Sequence, residues 1–360
     1  MTLDASLLDP HVSARAAHCR YVDDGSPGIK RLRSGRGFTY VAVDGHRIRD
    51  AASLKRFRRL VIPPAWTNVW ICPSVDGHIQ VTGRDARGRK QYRYHPRFRE
   101  VRDETKYARM IEFASALPSI RARIDQDLSR AGVSRERVLA TVVRLLEITL
   151  IRIGNEEYAR DNGSFGLTTM RSRHVDVEGS TITFSFRGKS GKSHVVKVSD
   201  RRVAKIVARC HDLPGEVLFQ YDDEGLRAIE SSDVNDYLRA VSGDAFTAKD
   251  FRTWAGTVLA AEALAPLAEV SQKGIATAVK AVAGRLGNTP AVCRRCYIHP
   301  EVFESFADGS LGPALNVRAV DEAPPTASLS ALERAVLRLL QKRTSRPRGG
   351  AASRESRRAA

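Results

Sequence analysis

The sequence predicts an α+β protein: a small β-rich N-terminal cap domain followed by a mainly α-helical domain that contains a three-stranded β-meander. Between residues 21 and 99, short alternating segments are separated by Asp-Gly pairs, which is typical of β-hairpins. From residue 101 onward, apolar residues recur at helical spacing, and only residues 174–198 return to a period of two. We therefore expect a leader at 1–20, domains at 21–100 and 101–320, and a linker, short helix and basic disordered tail at 321–360.

Two Asp-Gly pairs organise the predicted β-rich domain. The segments FTYVAV and HRI flank Asp44-Gly45, and the segments WTNVWICP and HIQVTGRD flank Asp76-Gly77. Between them, SLKRFRRL reads as one short helix that is ended by the prolines of VIPP.

The second domain opens with two predicted helices, 107–116 and 120–130, separated at Pro118. A long helix should begin after Ser134 and continue through RIGNEEYAR to the glycine of Asn162-Gly163. The meander follows, with the turn GKSGK between its second and third strands. Further helices are expected at about 200–210, 232–241, 247–264 and 268–284, with a short segment at 290–296. Ser330 and Glu333 form a capping box that opens the short helix of the tail.

The composition favours a polyanionic partner. The formal net charge is +18, and the first 100 residues hold 19 Lys and Arg against 9 Asp and Glu. Nucleic acid is the first partner to consider, although an Arg-rich surface caused by genomic base composition gives the same charge. With no run of 18 apolar residues and no signal-peptide pattern, we expect a cytoplasmic protein that does not enter membranes.

The lysine-rich stretch FRGKSGKSH, residues 186–194, invites comparison with a nucleotide-binding loop. Such a loop needs a glycine five residues before the glycine of Gly-Lys-Ser, followed by a helix. Here those positions hold Phe186 and Thr183, and an alternating strand pattern follows. We therefore expect no nucleotide cofactor. The pair Cys293 and Cys296 is half of a zinc knuckle, and because a second Cys-x-x-Cys is missing from the sequence we expect no metal site.

Four motifs occur in a telling order: RIGNEEY, GKSGK, KDFRT and GNTPAVCRRCY, preceded by IPPAWTNVWI and RGRKQYRY. This set resembles the type IB DNA topoisomerases, in the short poxvirus-like form also found in bacteria, over about residues 20–315. The resemblance implies the catalytic fold shared with tyrosine recombinases. It also implies relaxation of supercoiled duplex DNA through a 3′-phosphotyrosyl intermediate, without ATP or metal. By the same resemblance the enzyme is a monomer that clamps DNA and is associated with the nucleoid.

Residue roles follow from the resemblance. Tyr297 matches the nucleophile, and Arg152 and Arg252 match the arginines that bind the phosphate, a task suited to the planar guanidinium. Lys189 matches the general acid that protonates the leaving 5′-oxygen, and Lys249 a second lysine that assists it. A phenol of pKa about 10 needs such surroundings to act as a nucleophile near neutral pH.

Asn288 departs from the family pattern, which often has histidine at this position. An amide donates a hydrogen bond but cannot act as acid or base, so Asn288 is expected only to bind a phosphate oxygen. The expected DNA contacts, again from the resemblance and from the basic RGRKQYRY cluster, are Gln91, Tyr92, Tyr94, Arg89, Lys90, Tyr158 and Lys192.

Two alternatives stay open at this point. A tyrosine recombinase shares the catalytic set, but recombinases usually show His-x-x-Arg where this chain has Lys249 and Arg252, and their N-terminal domain is typically helical. A non-catalytic basic DNA-binding protein would explain the charge but not the ordered motifs.

Overall fold

The computed structural model describes residue 7 and residues 9–243, 246–316 and 328–344. The chain forms two compact units, which we call the N-terminal unit (Met1–Arg109) and the C-terminal unit (Met110–Ala360). Across the described ranges, no helix is both long and apolar enough to cross a bilayer.

The N-terminal unit is built on one antiparallel sheet of five strands in the order β2-β1-β3-β4-β5. Its elements are α1 (Pro10–Ala16), β1 (Ile29–Ser34), β2 (Gly37–Val41), α2 (Ala51–Arg59), β3 (Thr67–Ile71), β4 (Ile79–Arg84) and β5 (Lys90–Tyr94), and α3 (Pro96–Leu128) begins in it. Its core places Phe57 of α2 against Ile29, Val69, Ile71 and Val81 of the sheet. The prediction of a β-rich N-terminal region is therefore confirmed.

Two details of this unit differ from expectation. The first strand, IKRLRS, was not predicted, because four of its six residues are polar and only Ile29 and Arg31 are buried. The segment expected to be a loose leader contains α1, whose Ala14, together with Ala17, packs on Phe98. Burial of these small side chains holds α1 against the unit, so the expectation of a leader is wrong for residues 10–17.

The C-terminal unit is mainly helical, as predicted. Its elements are α4 (Arg135–Thr149), α5 (Glu156–Asn162), β6 (Val175–Glu178), β7 (Thr181–Arg187), β8 (Ser193–Ser199), α6 (Arg201–His211), β9 (Gln220–Asp222), β10 (Leu226–Ala228), α7 (Ser231–Ser242), α8 (Ala248–Leu264), α9 (Gln272–Leu286), α10 (Pro290–Tyr297), α11 (Pro300–Ala307), α12 (Leu311–Leu315) and α13 (Ala331–Thr344). The sheet order β6-β7-β8 confirms the three-stranded meander.

Helix α4 is the centre of this unit. All ten residues from Arg137 to Leu146 are buried, and α4 packs against α6, α7 and α8. Its apolar residues fill the core around the helix. Its buried polar residues are paired, as Arg144 is with Asp125 and Glu147.

Two helix predictions were wrong. The predicted break at Pro118 does not occur, because Pro118 lies inside the continuous α3. Proline removes one backbone hydrogen bond, and burial of the neighbouring Leu117, Ile120 and Ile124 outweighs that loss. The predicted long helix stops at Thr149, because Leu150 adopts a left-handed conformation (φ 57°), and the chain is irregular from there to Asn155.

The capping box of the tail is confirmed. The Ser330 amide donates to the Glu333 carboxylate at 2.8 Å, and the Glu333 amide donates to the Ser330 hydroxyl at 3.1 Å. Helix α13 packs on α8 and α12, so it belongs to the C-terminal unit rather than to a separate tail. The predicted linker APPTA (323–327) and residues 345–360 of the predicted disordered tail (341–360) lie outside the described residues, whereas residues 341–344 of that tail belong to α13.

Candidate active site

The first arginine of the site is fixed by irregular backbone. Arg152 lies in the irregular segment after α4, where its carbonyl accepts from the Leu167 amide at 2.9 Å. Gly166 is pressed against this segment, so that a Cβ there would lie 2.5 Å from the Arg152 carbonyl oxygen. The left-handed turn at Leu150 and these contacts hold Arg152 at the end of α4. Arg152 is therefore not on a helix, contrary to prediction.

Arg252 lies on the buried face of α8 and is only 4 % exposed. Its guanidinium donates to the carbonyls of Leu150 and of Leu286, the latter at 2.6 Å. These two bonds join the end of α4 to the end of α9 through α8. The Nε–H of Arg252 is buried with no hydrogen-bond partner in the described part of the chain. Such an unsatisfied donor is costly unless a ligand completes it.

Tyr297 is the last residue of α10, and its ring centroid lies 5.5 Å from the guanidinium carbon of Arg252. The helix starts at the Thr289 cap, with Pro290 in its first turn. The Thr257 hydroxyl of α8 contacts the Tyr297 carbonyl at 3.3 Å and accepts from the His299 amide at 3.1 Å. The tyrosine is thus anchored by its backbone, while its ring faces an arginine.

Asn288 lies between α9 and α10 and is bound to the first arginine. Nη2 of Arg152 donates to Oδ1 of Asn288 at 2.5 Å and to the Gly287 carbonyl at 3.4 Å. Because Oδ1 of Asn288 accepts from the Arg152 guanidinium, the amide nitrogen points away from Arg152. That nitrogen, Nδ2, is buried and unpaired among the residues described. Asn288 therefore presents an unused donor beside Arg152.

A cleft brings the loop lysine to the arginines. Its lining includes Arg152, Gly188, Lys189, His194, Arg252 and Arg285. Lys189 is exposed at the start of a 3₁₀ turn, Lys189–Gly191, that connects β7 to β8. The turn is closed by the Gly188 amide, which donates to the Lys192 carbonyl at 2.8 Å. Five cationic or titratable side chains therefore face one small space.

The electrostatics of this space favour an anion. Burial lowers the pKa of the Arg152 guanidinium. Burial, followed by the positive charge of Arg152, lowers the pKa of Arg252 to about 10. Two like charges held close together out of water are unfavourable until an anion joins them. A phosphate group would supply that charge and accept from the unpaired donors of Arg252 and Asn288.

The remaining predicted residues of this unit lie further out. Lys249 is exposed in the first turn of α8, one turn before Arg252, and is not among the side chains described as lining the cleft. Tyr158 is 56 % exposed on α5, and Lys192 is exposed at the end of the 3₁₀ turn. Their exposure is compatible with contacts to a large ligand that reaches beyond the cleft.

The predicted DNA-contacting residues of the N-terminal unit lie on and beside the edge strand β5. Tyr92 and Tyr94 are 41 % and 39 % exposed, and their rings stack at 5.9 Å. Next to them, Lys90 pairs with Asp24 at 2.7 Å, and Arg89 and Gln91 both bind Asp85. The exposed aromatic pair and the adjacent cations form one surface, on which the Lys90 and Arg89 side chains stay 45% and 49% exposed.

Sequence reasoning missed two residues of the site. His194 was quoted within FRGKSGKSH but was assigned no role, although its place two residues after Lys192 in a strand signals proximity to the turn. Gly256 was also missed: a Cβ there would lie 2.6 Å from the Tyr297 carbonyl oxygen. Nothing local in the sequence marks that contact, because it joins residues 41 positions apart.

Comparison with known proteins identifies the family of the chain. Residues 95–311 match the catalytic core of eukaryotic DNA topoisomerase I, and residues 37–85 match the N-terminal domain of bacterial DNA topoisomerase IB. The chain is 31% identical over 295 residues to DNA topoisomerase 1B of Acanthamoeba polyphaga mimivirus, which covers 78% of this chain and 87% of that protein.

Two more distant relatives extend the comparison. DNA topoisomerase 1B of Vaccinia virus (strain Copenhagen) is 23% identical over 250 residues, covering 67% of this chain and 76% of the viral protein. DNA topoisomerase 1 of Schizosaccharomyces pombe is 26% identical over 167 residues, covering 45% of this chain and 19% of the yeast protein. The five-stranded sheet of the N-terminal unit also argues against a recombinase. The chain therefore belongs to the type IB DNA topoisomerases, isomerases that relax supercoiled DNA.

Proposed function

We propose that Tyr297 carries out the strand cleavage of this topoisomerase. Its phenol oxygen attacks a backbone phosphorus, the P–O5′ bond breaks, and the product is a 3′-phosphotyrosyl link with a free 5′-hydroxyl. The phenol proton goes to solvent. Religation reverses these steps, and since the covalent link conserves the bond energy, no ATP or metal ion is required. The observation that carries this proposal is the contact of Tyr297 with the buried guanidinium of Arg252.

Arg152, Arg252 and Asn288 are proposed to bind the non-bridging oxygens of the phosphate under attack. Extra negative charge develops on these oxygens in the transition state, and donors fixed beforehand stabilise it most. Both arginines are held by backbone carbonyls, and Arg252 and Asn288 each have one buried donor without a partner within the described residues. The site is thus preorganised for an oxyanion, and it becomes fully satisfied only when one binds.

Lys189 is proposed to donate the proton that the leaving 5′-oxygen takes up, with Lys249 assisting. An alkoxide is a strong base, so protonation during bond cleavage lowers the barrier. Lys189 borders the same cleft as both arginines, which supports this role. The exposure of Lys249 means that its assistance depends on how the bound DNA approaches α8.

The partner of this chemistry is duplex DNA. We propose that Gln91, Tyr92, Tyr94, Arg89, Lys90, Tyr158 and Lys192 contact it. Their exposed cations and rings suit phosphates and bases. We further propose that the enzyme acts as a monomer at the nucleoid, with no nucleotide. Each cycle of cleavage and religation needs one nucleophile, and one chain supplies all of the proposed catalytic residues.

The test is relaxation of supercoiled plasmid in EDTA without ATP, followed by gel electrophoresis. The parent should relax the plasmid and form a covalent DNA adduct after rapid denaturation. Tyr297→Phe should do neither while binding DNA with similar affinity. A covalent adduct in Tyr297→Phe would place the nucleophile elsewhere. Strand exchange between two sites as the main product would favour the recombinase alternative.

A further inference from the structure

His194 occupies the junction between the loop lysine and the phosphate-binding turn. It is the second residue of β8 and pairs with Phe186 of β7. The two rings stack with centroids 5.3 Å apart and planes 18° apart. This stacking fixes the plane of the imidazole, so its far edge has a defined direction.

That edge lies against two glycines from different turns. A Cβ on Gly188 would lie 2.7 Å from Cδ2 and 2.9 Å from Nε2 of His194. A Cβ on Gly287 would lie 2.8 Å from Cε1 of the same ring. Both glycine positions therefore leave room for the imidazole and for nothing larger than hydrogen.

Each glycine precedes a residue of the proposed chemistry. Gly188 leads directly into Lys189, and its amide closes the lysine turn. Gly287 leads directly into Asn288, and its carbonyl accepts from Arg152 at 3.4 Å. The position of one ring thus sets the separation between the lysine turn and the turn that binds the phosphate.

We propose that His194 is a positioning residue for DNA cleavage, whose imidazole acts as a spacer between Gly188 and Gly287 and aligns Lys189 with the leaving oxygen. The inference rests on the proposed role of Lys189 as the general acid. Within the described residues no side chain hydrogen-bonds to the imidazole, so its effect comes from its volume and its charge rather than from a hydrogen bond.

The charge of the ring gives the proposal a second consequence. The cations that act on it come from three elements: Lys192 on the turn, Arg152 after α4 and Arg252 on α8, with Lys189 and Arg285 on the same cleft. Burial first, and then these cations, lower the pKa of His194 below its ordinary value. The ring is neutral at pH 7, and at acidic pH its protonation adds a cation beside the lysine turn and disfavours the aligned arrangement.

The experiment first maps where the parent cleaves a DNA duplex. It then measures single-turnover cleavage at that site by the parent, His194→Ala and His194→Phe. Each is tested on the natural substrate and on one in which sulfur replaces the 5′-bridging oxygen. A thiolate leaves without a proton, so the sulfur substrate removes the need for a general acid. His211→Ala is the matched control, because His211 is exposed at the end of α6. Circular dichroism and melting temperature verify that each variant is folded.

We expect His194→Ala to cleave the natural substrate about 10–100-fold more slowly, the loss typical of a misplacement near 1 Å, and the sulfur substrate at nearly the parent rate. His194→Phe keeps an uncharged flat ring that can stack on Phe186, so at pH 7.5 it should cleave faster than His194→Ala despite the larger ring. Unlike the parent, it should show no loss of activity from protonation of this ring as the pH falls below the ordinary histidine pKa.

Several results would overturn the proposal. A parent-like rate in folded His194→Ala would show that the spacing does not matter. Equal losses on both substrates would show that the ring serves the phosphate site rather than the lysine turn. If His194→Phe lost activity at acidic pH as the parent does, protonation of His194 would not be the cause of that loss. Failure of Lys189→Ala to recover on the sulfur substrate would instead refute the proposed general acid, and failure of the parent to cleave would refute the proposed function.

Discussion

Gly256 of α8 touches the backbone of Tyr297 so closely that a Cβ on the glycine would lie 2.6 Å from the tyrosine carbonyl oxygen. The same Cβ would lie 3.1 Å from Cβ of Tyr297 and 3.2 Å from Leu286. The Leu286 methyl could move aside at low cost, but the carbonyl oxygen and Cβ of Tyr297 could not, because they belong to the start of the residue and not to a flexible end. The proposed nucleophile is therefore positioned by the absence of a side chain on α8 behind it.

Gly256→Ala should slow cleavage by pushing α10 away from α8. We expect a melting temperature a few degrees lower, consistent with about 1–3 kcal/mol of overpacking, and cleavage about 10–100-fold slower. Gly284→Ala is the matched control: Gly284 also lies within a helix, α9, and a Cβ there would meet no atom within 4 Å. The readouts are single-turnover cleavage and thermal unfolding. If both alanine variants cleave at the parent rate, the close approach has no catalytic value.

Substitutions of Asn288 separate two tasks of its amide. Its oxygen accepts from Arg152, and its nitrogen is the unpaired buried donor. Asn288→Ala should slow cleavage on the order of 10–10³-fold, the range for loss of one oxyanion donor, with little change in DNA affinity. Asn288→His should be the least affected, because an imidazole both accepts and donates.

Asn288→Asp should be the slowest of the three variants. A carboxylate keeps the bond to Arg152, but it lacks the donor and places a negative charge next to the phosphate. Cleavage rates and DNA affinities, measured side by side, give the order. Parent-like rates for both the alanine and the aspartate variants would mean that Asn288 only shapes the turn.

The sequence indicated candidate side chains of the site, but not the backbone that holds them. Tyr297, Arg152, Arg252 and Lys189 could be assigned because each lies in a short motif. The left-handed break at Leu150 could not, because RLLEITLIRIG continues a helical apolar pattern. Helix α4 ends there because the Leu150 carbonyl binds Arg252, 102 residues later in the chain. Contacts between distant residues overrode the local propensity.

The same reason explains the other differences. Pro118 stays helical because of buried neighbours, and an ion pair between Arg121 of α3 and Glu333 helps to join α13 to the C-terminal unit. The meander, by contrast, was predicted with its turn in place, because its strands pair with their neighbours in sequence. Pairing between strands that are neighbours in sequence can be predicted from local residues, whereas packing between distant segments cannot.

Lys189→Ala should lose most of its cleavage activity on natural DNA and recover it on DNA with a sulfur leaving group. The lysine is exposed at the cleft, so its removal leaves no cavity that would destabilise the fold. We expect a loss of about 10²–10⁴-fold with oxygen, the usual range for a general acid, and much less with sulfur. Arg252→Ala is the contrast, since it removes a phosphate contact and should be slow with both substrates. Equal losses for Lys189→Ala on the two substrates would remove it as the proton donor.

Glu333→Gln tests how α13 is held, and its effect should depend on pH. The Glu333 carboxylate accepts two bonds from Arg121 of α3, at 3.0 and 2.8 Å, and one from the Trp254 indole at 3.2 Å. Both charged side chains are only 12–13% exposed. Burial by itself would raise the pKa of Glu333, but the bonds and charge of Arg121 outweigh it and hold the pKa below the usual value.

A carboxylate whose pKa is depressed in the folded state stabilises the fold above its unfolded pKa, and the contribution disappears as the pH falls through the folded value. At pH 7, Glu333→Gln should therefore lower the free energy of unfolding by about 1–3 kcal/mol, less than for loss of an isolated buried pair because Arg121 keeps Glu147. The difference from the parent should shrink below about pH 4, where the unfolded carboxyl is protonated. Glu262→Gln, on the exposed side of α8, should show no difference at either pH. Denaturant unfolding at pH 7 and pH 3.5 measures this, and a pH-independent difference would mean that packing of α13, rather than the charge of Glu333, supplies the stability.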